Sequence, residues 1–434
     1  MKKLLFRLRE LLATFWFVPL VITAFGMILA LALLWADRSF DIQPEGLLRL
    51  FFSKDADSVR AVLSTISGAM IGVAGTVFSI TLVVLTMASS QFGPRLLRNF
   101  MYKRINQVVL GSYIATYIYS LIVLSAVRST EQFDFIPGIS VLGALLLALL
   151  NLVLLIVFIH DVSMSIQSDR VIDELRKVLE KSIGTLHPEE SGNESIHGRA
   201  LADWLEVKDK LPLNRHYEAP QSGYLQLADL ERLLTIAEEN HLLVEVHQKP
   251  GDYLVKSERM LSLFQYPSTE PKNLSDETLN ALFLFANNRS YFQDSEFAIH
   301  QIVEVASRAL SPGVNDPYTA INCIDNLTSV LCRIAGSAFP QTLRFDEKQQ
   351  LRMITKTDTF EGFVNASFNQ IRQYGASSPS VMIRLMEALA KIMSFTRNGA
   401  KQAVIIHHAE MVMEVSKQSF DSQSDLQDLE SRFL

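Results

Sequence analysis

The stretch AVLSTISGAMIGVAGTVFSITLVVLTMASSQFGP, residues 61–94, decides the fold of this chain. It contains 34 consecutive residues without Asp, Glu, Lys, Arg or His, between Arg60 and Arg95. A helix needs only about 20 apolar residues to cross the hydrocarbon core of a bilayer. The stretch therefore predicts a membrane-spanning helix with residues to spare.

Small and weakly polar residues recur in this stretch at three- and four-residue steps, which places them on one helical face. We call them the small-residue stripe, and its members are Ser64, Gly68, Gly72, Gly75, Thr76 and Ser79. Such a stripe has two physical uses. It allows two helices to approach closely where lipid offers no hydrophobic driving force, or it lines a hydrated path. The sequence predicts a pore-lining or helix-packing stripe and does not choose between the two.

Three further charge-free runs occur before residue 161, at residues 11–36, 105–127 and 135–159, and no later run is of comparable length. We therefore expect four spans, at about residues 13–36, 63–90, 107–127 and 137–159. The first run follows four basic residues, as a signal peptide would. Its 26 residues exceed the usual apolar segment of a signal peptide, and residues 35–37 form a poor cleavage site. We interpret it as a retained span.

Basic residues predict the orientation of these spans. The N-terminal tail and residues 95–104 carry eight Lys or Arg and a single acidic residue, Glu10, whereas residues 37–60 and 128–134 carry five basic and seven acidic residues. Loops rich in Lys and Arg stay in the cytoplasm. The pattern predicts a multi-pass membrane protein with both its N-terminus and its C-terminus in the cytoplasm.

Charge separates the two parts of the chain. Residues 1–160 have a net charge of +5, and the remainder has −11. An acidic soluble part argues against nucleic acid as a partner, because binding to phosphates needs clustered Lys and Arg. The two cysteines, Cys323 and Cys332, have a spacing unlike that of zinc sites and fit reduced thiols in a cytosol. The partners that we expect are the lipid bilayer and further copies of this chain. A small ion or a cytosolic ligand would also fit.

The predicted fold class is a mostly α membrane protein in which four transmembrane helices precede a cytoplasmic α+β region. We divide the chain into a transmembrane domain (1–160), a stalk helix and linker (161–221), a β-rich element (222–265), a helical domain or bundle (266–418) and a polar tail (419–434) that we expect to be frayed. Residues 211–221, with two prolines, are expected to form the linker.

The β-rich element is predicted from two strand-like runs around a short helix, followed by the turn Lys249-Pro-Gly-Asp252 and a return strand. This order resembles the small barrel of biotinyl and lipoyl carrier modules. No lysine occurs between Gly223 and Gln248, so the modified residue of such a carrier is missing. The resemblance implies a structural, barrel-like element without a swinging arm.

The best polar constellation of the soluble part lies around the segment from Ser311 to Thr319, and its members are Arg289, Asp294, Arg308, Asn315 and Asp316. Asp316 suits an N-cap, and Pro317 suits the first position of a helix. We therefore favour a helix cap with a buried ion-pair brace. The alternative is a ligand site in which the amides at the start of the Pro317 helix hold an anion with help from Arg308.

Candidates for catalysis are few. Glu296, His300 and Glu304 have a spacing that could present two carboxylates and an imidazole to a metal or substrate, although surface pairing on a helix explains the same spacing. The adjacent residues His407 and His408 point apart on a helix and make a poor metal site. The sequence has no phosphate-binding loop, nucleophile elbow or dinucleotide fingerprint. We assign no catalytic residue, no metal and no cofactor, and we do not predict an enzyme.

Several long motifs resemble those of one bacterial family. They are MASSQFGPRLLRNF at residues 87–100, QVVLG at 107–111, the β-rich run at 222–255 and RALSPGVNDPYTA at 308–320. With four spans, these motifs make the chain similar to DUF2254, a family of predicted inner-membrane proteins, over nearly its whole length. The resemblance implies the architecture and a bacterial inner membrane, and it implies no activity.

Two functions from different classes fit these features. In the first, the chain forms an oligomeric channel or transport protein whose small-residue stripe lines or adjoins a central path, with a cytoplasmic domain that senses a signal and gates the path. In the second, the stripe is a packing seam, and the protein is a membrane-anchored scaffold or sensor whose cytoplasmic domain binds a partner. The stripe, the four spans with short loops and a soluble domain joined through continuous helices at residue 161 favour the channel.

Overall fold

The computed structural model of this protein describes residues 14–39, 55–93, 104–130, 133–165, 167–186, 206, 208–267, 274–337, 339–340 and 342–433. The chain divides into two compact units, residues 1–167 and 168–434. The basic segments on which the predicted orientation depends lie outside the described residues, apart from Arg104.

In the described part of the first unit, four helices are long and apolar enough to cross a membrane. They are α1 (Phe17–Ser39), α2 (Ala56–Phe92), α3 (Arg104–Ala126) and α4 (Gly138–Ser165). Two short antiparallel strands, β1 (Arg128–Thr130) and β2 (Phe133–Phe135), lie between α3 and α4. Four candidate membrane helices followed by an α+β region confirm the coarse fold class predicted from the sequence.

Helix α3 is the centre of this unit, because half of its span is buried by the chain, against 11% for α1 and for α2. Glycines allow the close approach of its neighbours. A methyl group added at Gly111 of α3 would lie 2.8 Å from Pro19 Cα, and one added at Gly26 of α1 would lie 2.9 Å from Ala115 Cβ. Small residues thus bring α1 and α3 together, as in other membrane helix pairs.

Polar side chains inside this unit join the helices. Asp37, near the end of α1, accepts hydrogen bonds from the amides of Ile139 and Ser140 at the start of α4. The Tyr119 hydroxyl donates to the Ser140 carbonyl at 2.7 Å, and the Asn151 amide donates to Thr116 Oγ1 at 2.7 Å. Such bonds satisfy groups that would otherwise be costly in an apolar surrounding.

The second unit begins with α5 (Ser168–Leu186), whose buried residues Ile172, Leu175 and Leu179 share one face. The other helices of this unit are α6 (Leu230–Glu239), α7 (Asp276–Asn280), α8 (Ser295–Ala309), α9 (Pro317–Gly336), α10 (Phe360–Gly375), α11 (Pro379–Ser394), α12 (Gly399–Ser419) and α13 (Gln423–Glu430). Helix α5 packs on α8 and α9, which ties the stretch after the last span into the helical core of the unit.

The strands of the second unit form two open sheets. The strands are β3 (Leu213–Glu218), β4 (Gly223–Ala228), β5 (Leu242–Val246), β6 (Tyr253–Leu254), β7 (Arg259–Gln265), β8 (Phe283–Ala286), β9 (Leu343–Phe345) and β10 (Leu351–Thr355). Their orders are β3-β7-β5-β10-β9 and β6-β4-β8. Neither sheet closes on itself within the described residues, so the predicted barrel-like element is not supported as a barrel. Strand β10, from a region predicted to be helical, pairs in parallel with β5 and extends the sheet.

Two other predictions along the chain also fail. The predicted linker at residues 211–221 contains β3, which pairs with β7, because its two prolines, Pro212 and Pro220, lie outside the strand and leave the strand amides free to bond. The predicted frayed tail contains helix α13, with Leu429 fully buried. Arg432, just after α13, donates to Glu387 Oε1 of α11 at 2.8 Å, so this end of the chain is anchored.

Candidate functional site

The small-residue stripe lies on the face of α2 that points away from the other helices of its unit. Residues of an α-helix recur every 3.6 positions, so the six stripe positions share one side. The opposite side packs against the bundle through its buried residues, which include Leu63, Ala74, Val77, Thr81 and Ala88. The chain thus uses one face of α2 for its own packing, and the stripe lies on the other.

The stripe has no neighbour within the described part of the chain. A methyl group added at Gly68, Gly72 or Gly75 would meet no atom within 4 Å. The side chains of Ser64, Thr76 and Ser79 are exposed as well. Larger apolar residues flank the stripe, and Phe78 is 45% and Leu82 50% exposed. The exposed face is therefore a shallow groove with bulky edges.

Two hydroxyl groups of the stripe, those of Thr76 and Ser79, bond to their own helix. Thr76 Oγ1 donates to the Gly72 carbonyl at 3.2 Å, and Ser79 Oγ donates to the Gly75 carbonyl at 2.9 Å. These bonds satisfy the hydroxyl hydrogens without any partner outside the helix. The hydroxyl oxygens keep free lone pairs, so the face can pack dry or accept hydrogen bonds from water.

The predicted polar constellation of the second unit separates into two groups at the two ends of α8. Arg289 and Asp294 lie together before the start of α8, whereas Arg308, Asn315 and Asp316 lie at its end. Fifteen residues of helix span about 22 Å. No single small ligand can bridge the two groups through α8.

The group at the end of α8 is a helix cap. Asp316 accepts hydrogen bonds from Thr319 N at 3.1 Å and from Thr319 Oγ1 at 2.6 Å. Its own amide donates to the Ala309 carbonyl at 2.7 Å, and Asn315 adopts a left-handed conformation with φ of 49°. Arg308 lies 4.0 Å from Glu304 of the same helix. These contacts support the cap, in which Asp316 binds the Thr319 amide in the first turn of α9.

The group before α8 belongs to a larger set, which we call the charged cluster. Arg289 binds Asp294 with two hydrogen bonds of 2.7 and 2.8 Å, and its Nη1 donates to His300 Nδ1 at 2.9 Å. The carboxylate of Asp294 also caps α8 through the Phe297 amide. Burial raises the pKa of Asp294, although Arg289 and the amide favour its charged form.

Lys249 completes the charged cluster from the β5–β6 loop. Its ammonium lies 2.8 Å from Glu296 Oε1 and 2.5 Å from Asp358 Oδ1. Burial acts to lower the pKa of Lys249, but the bonds to Asp358 and Glu296 outweigh it, so the pKa is raised. The cluster thus joins the β5–β6 loop, the start of α8 and the segment before α10.

Gly251 and Asp252 bring the loop close to the cluster. Gly251 has φ of 100°, and a methyl group there would lie 2.5 Å from Asp294 Oδ2. Asp252 accepts from the Lys249 amide and forms an ion pair with Lys356 at 3.2 Å. Each charge of the cluster has an oppositely charged neighbour, which is typical of a brace between segments.

Sequence reasoning missed Lys249 and Asp358, because they are distant in the chain from Asp294 and lie in a turn and before a helix. The spacing of Glu296, His300 and Glu304 has its own explanation in this geometry. Glu296 binds Lys249, His300 accepts from Arg289, and Glu304 lies near Arg308. Within the described residues, no group of three His, Cys, Asp or Glu side chains could hold a metal ion.

Two cavities in the helical part differ in how their arginines are paired. The first, of about 750 Å³, lies between α9 and α11 and contains Arg384, whose guanidinium binds Asp325 at 2.6 and 2.8 Å and Glu387 at 3.0 Å. The second, of about 390 Å³, lies between α10 and α12. Its lining includes Asn365, Asn369, Arg372 and His408.

Four apolar helices followed by an α+β unit define the class: this is a membrane protein with a folded unit after its last candidate span. The chain belongs to the family DUF2254, described as "Predicted membrane protein", whose model matches residues 13–391. The family expected from the sequence motifs is thus confirmed.

Mycobacterial proteins are among the relatives of this chain. The "Uncharacterized protein Mb1321c" of Mycobacterium bovis and the "Uncharacterized protein Rv1290c" of Mycobacterium tuberculosis are each 30% identical to it over 382 residues. The matched region covers 87% of this chain and 72% of each relative. No solved structure matches the chain. The names of these relatives state no activity.

Proposed function

We propose that this protein forms a homo-oligomeric channel in the bacterial inner membrane, in which the small-residue stripe of α2 faces a central path and the second unit lies in the cytoplasm and regulates conduction. One observation carries the proposal: the stripe points away from its own bundle and has no neighbour in the described residues. A helix that faced only lipid on that side would gain nothing from a groove of glycine and serine.

The charge pattern of α2 sets the kind of path. Between Arg60 and Arg95 the helix has no ionisable side chain, so the path would offer hydroxyl and backbone oxygens to a permeant species. At 37 residues, α2 is about 55 Å long and exceeds the hydrocarbon core of a bilayer. Arg60 would then lie near one mouth of the path.

Ion flux into liposomes that contain the purified protein tests the proposal. We expect flux from the wild-type protein, and we expect Gly72→Leu to abolish it without changing the oligomer size, because the leucine fills the groove. Ala32→Leu on the exposed side of α1 is the matched control and should leave flux unchanged. The absence of flux under varied voltage, pH and osmotic conditions would contradict a channel.

Cysteine labelling tests whether the stripe contacts water. Cysteines placed at Gly72 or Ser79 should react with a water-soluble thiol reagent in the membrane-embedded protein. Cysteines at Val77, which is buried, and at Leu149 of α4, which is 61% exposed on a side expected to face lipid, should not react. The native Cys332 is buried and its pKa is raised by burial, and Cys323 is also buried, so wild-type protein serves as the blank.

A membrane-anchored scaffold or sensor is the second candidate, and the self-satisfied hydroxyls of the stripe favour it. Such a face can pack dry against the same face of another copy. In that case a cysteine at Gly72 should form disulfide-linked dimers upon oxidation and yet resist the water-soluble reagent. Disulfide linkage together with labelling would support the channel, and linkage without labelling or flux would support the scaffold.

A further inference from the structure

The cavity between α10 and α12 has one polar wall and one mixed wall. On α10, Asn365, Asn369 and Arg372 follow one another at four- and three-residue steps, so they share the face that lines the cavity. On α12, Val404 and Met411 supply apolar surface beside the two adjacent histidines. A cavity of about 390 Å³ falls in the size range of small-molecule sites.

Hydrogen bonds fix the floor of this cavity. His408 is 2% exposed, and its Nε2 donates to Asn365 Oδ1 at 3.0 Å, since an amide oxygen can only accept. The same oxygen accepts from Asn369 Nδ2 at 3.1 Å. Burial, with the charges of His407 and Arg372, lowers the pKa of His408 to about 4, so the imidazole is neutral in a cytosol. The floor is therefore polar and preorganised but carries no charge.

Arg372 lines this cavity as a half-buried cation. Its Nε is buried and has no hydrogen-bond partner, and no carboxylate forms an ion pair with it among the residues described. The Oδ1 atom of Asn369, one turn away, is also buried without a partner. In the neighbouring cavity, by contrast, Arg384 is neutralised by Asp325 and Glu387. A half-buried guanidinium without a counter-charge is costly unless something else supplies that charge.

We infer that the cavity between α10 and α12 is a binding site for a small organic anion, whose carboxylate or phosphate pairs with Arg372. A guanidinium matches the geometry of these groups, which it binds with two parallel hydrogen bonds. A donor group of the ligand would satisfy Asn369 Oδ1, and its carbon skeleton would contact Val404 and Met411. Glu361 lines the far end of α10, so the ligand would place its negative group at the Arg372 end.

The test of this site does not depend on the channel proposal, because ligand binding is measured without measuring ion flux. If the channel proposal holds, this anion is a candidate for the signal that the second unit senses, and that step rests on the proposed function. If the channel proposal fails, the binding experiment below is unaffected. The two proposals therefore fail separately.

Binding to the full-length protein in detergent micelles tests the site, with inorganic phosphate, citrate and AMP as the probes. We expect at least one of them to raise the melting temperature saturably and to bind measurably by calorimetry. Phosphate or AMP would identify a phosphate-bearing ligand, and citrate a carboxylate. Failure of all three to bind at millimolar concentrations would overturn the assignment.

Variants locate the binding. Arg372→Gln should weaken binding about tenfold or more, because it removes a charge-assisted pair. Asn369→Asp should weaken it similarly by placing a competing carboxylate beside Arg372. Arg397→Gln, an exposed arginine that does not line the cavity, is the control and should leave binding unchanged. Equal binding by wild type and Arg372→Gln would overturn the site.

The melting temperature of the unliganded protein shows whether Arg372 serves a ligand or the fold. If Arg372 is unpaired until an anion binds, its charge costs stability in the unliganded protein. Arg372→Met should then leave the melting temperature of that protein unchanged or raise it. If the arginine supports the fold by itself, the melting temperature should fall, and the assignment would be wrong.

Discussion

The glycines of α2 and the glycines of the neighbouring helices have opposite surroundings. At Gly111 of α3 and Gly26 of α1, the chain leaves no room for a methyl group, which would lie 2.8 Å from Pro19 Cα and 2.9 Å from Ala115 Cβ respectively. At Gly72 of α2, nothing lies within 4 Å. The chain thus provides close neighbours for the first set and none for the second.

This difference shows that small residues in a membrane helix can serve two kinds of contact. Glycine allows backbones to approach, and the approach is either within one chain or between chains. The α1 and α3 glycines serve the fold of the single chain. The α2 glycines are spaced as regularly as a packing motif, yet their side of the helix is open. Mutations at the two sets should therefore act on different properties.

Gly111→Leu should have the largest effect, because the leucine cannot enter the contact with Pro19 without moving a helix backbone. We expect a loss of about 3 kcal/mol or more in the free energy of unfolding. Denaturant titration in micelles, followed by tryptophan fluorescence, measures it. Gly72→Leu is the matched variant and should change the value by about 0.5 kcal/mol at most. Similar losses at both positions would remove the distinction between the two sets.

Gly251→Ala extends the comparison of crowded and open glycines to the second unit. Here the nearest group is Asp294 of the charged cluster. The residue has φ of 100°, and the added methyl group would lie 2.5 Å from Asp294 Oδ2. Strain and the displaced Arg289–Asp294 pair should cost about 2–3 kcal/mol, seen as a lower melting temperature. Gly313→Ala, where the methyl group meets nothing within 4 Å, should have little effect. An unchanged melting temperature for Gly251→Ala would show that the β5–β6 loop can move away from the charged cluster.

Asp316→Ala should have a smaller effect, because it removes a cap and leaves the packing around it intact. Loss of the bond to the Thr319 amide should cost about 1 kcal/mol, and Asp316→Asn, which keeps an acceptor, should be mild. Thermal unfolding followed by circular dichroism measures both variants. Loss of function at unchanged stability would instead indicate that Asp316 serves a ligand.

Gly72→Ala should have the smallest effect on the single chain. Nothing obstructs the methyl group, and alanine favours a helix over glycine by roughly 1 kcal/mol. We therefore expect the free energy of unfolding to stay equal or rise slightly, and sedimentation in detergent to report the same oligomer size as for wild type. A smaller oligomer would show that the stripe is a contact between copies and does not line a path.

Local signals in the sequence predicted a large part of this architecture. Four charge-free runs gave the four candidate spans, and Asp316 before Pro317 gave the cap of α9, since both depend on residues close together in the chain. The barrel prediction failed because it considered only residues 222–265. The pairing of β10 with β5 joins Met353 to Val244, and no local pattern specifies a partner so far along the chain.

The charged cluster likewise contains contacts between side chains that are distant in the sequence and that local patterns do not predict. Arg289 and Asp294 are near neighbours in sequence, and their pairing was expected. Lys249 binds Glu296 and Asp358, which are 47 and 109 residues away, and only the fold brings the three together. The unpaired Arg372 is likewise visible only when all its neighbours are known.

By itself the sequence determined that the chain belongs in a membrane, because uncharged length is a property of consecutive residues and the cost of desolvation acts on them directly. It also determined that one face of α2 is small and weakly polar, since helical spacing follows from 3.6 residues per turn. Only the tertiary structure decided that this face is the outer one. Which side of a helix is buried depends on contacts with distant segments, and these choose Leu63 and Val77 for the inside and leave Gly72 exposed.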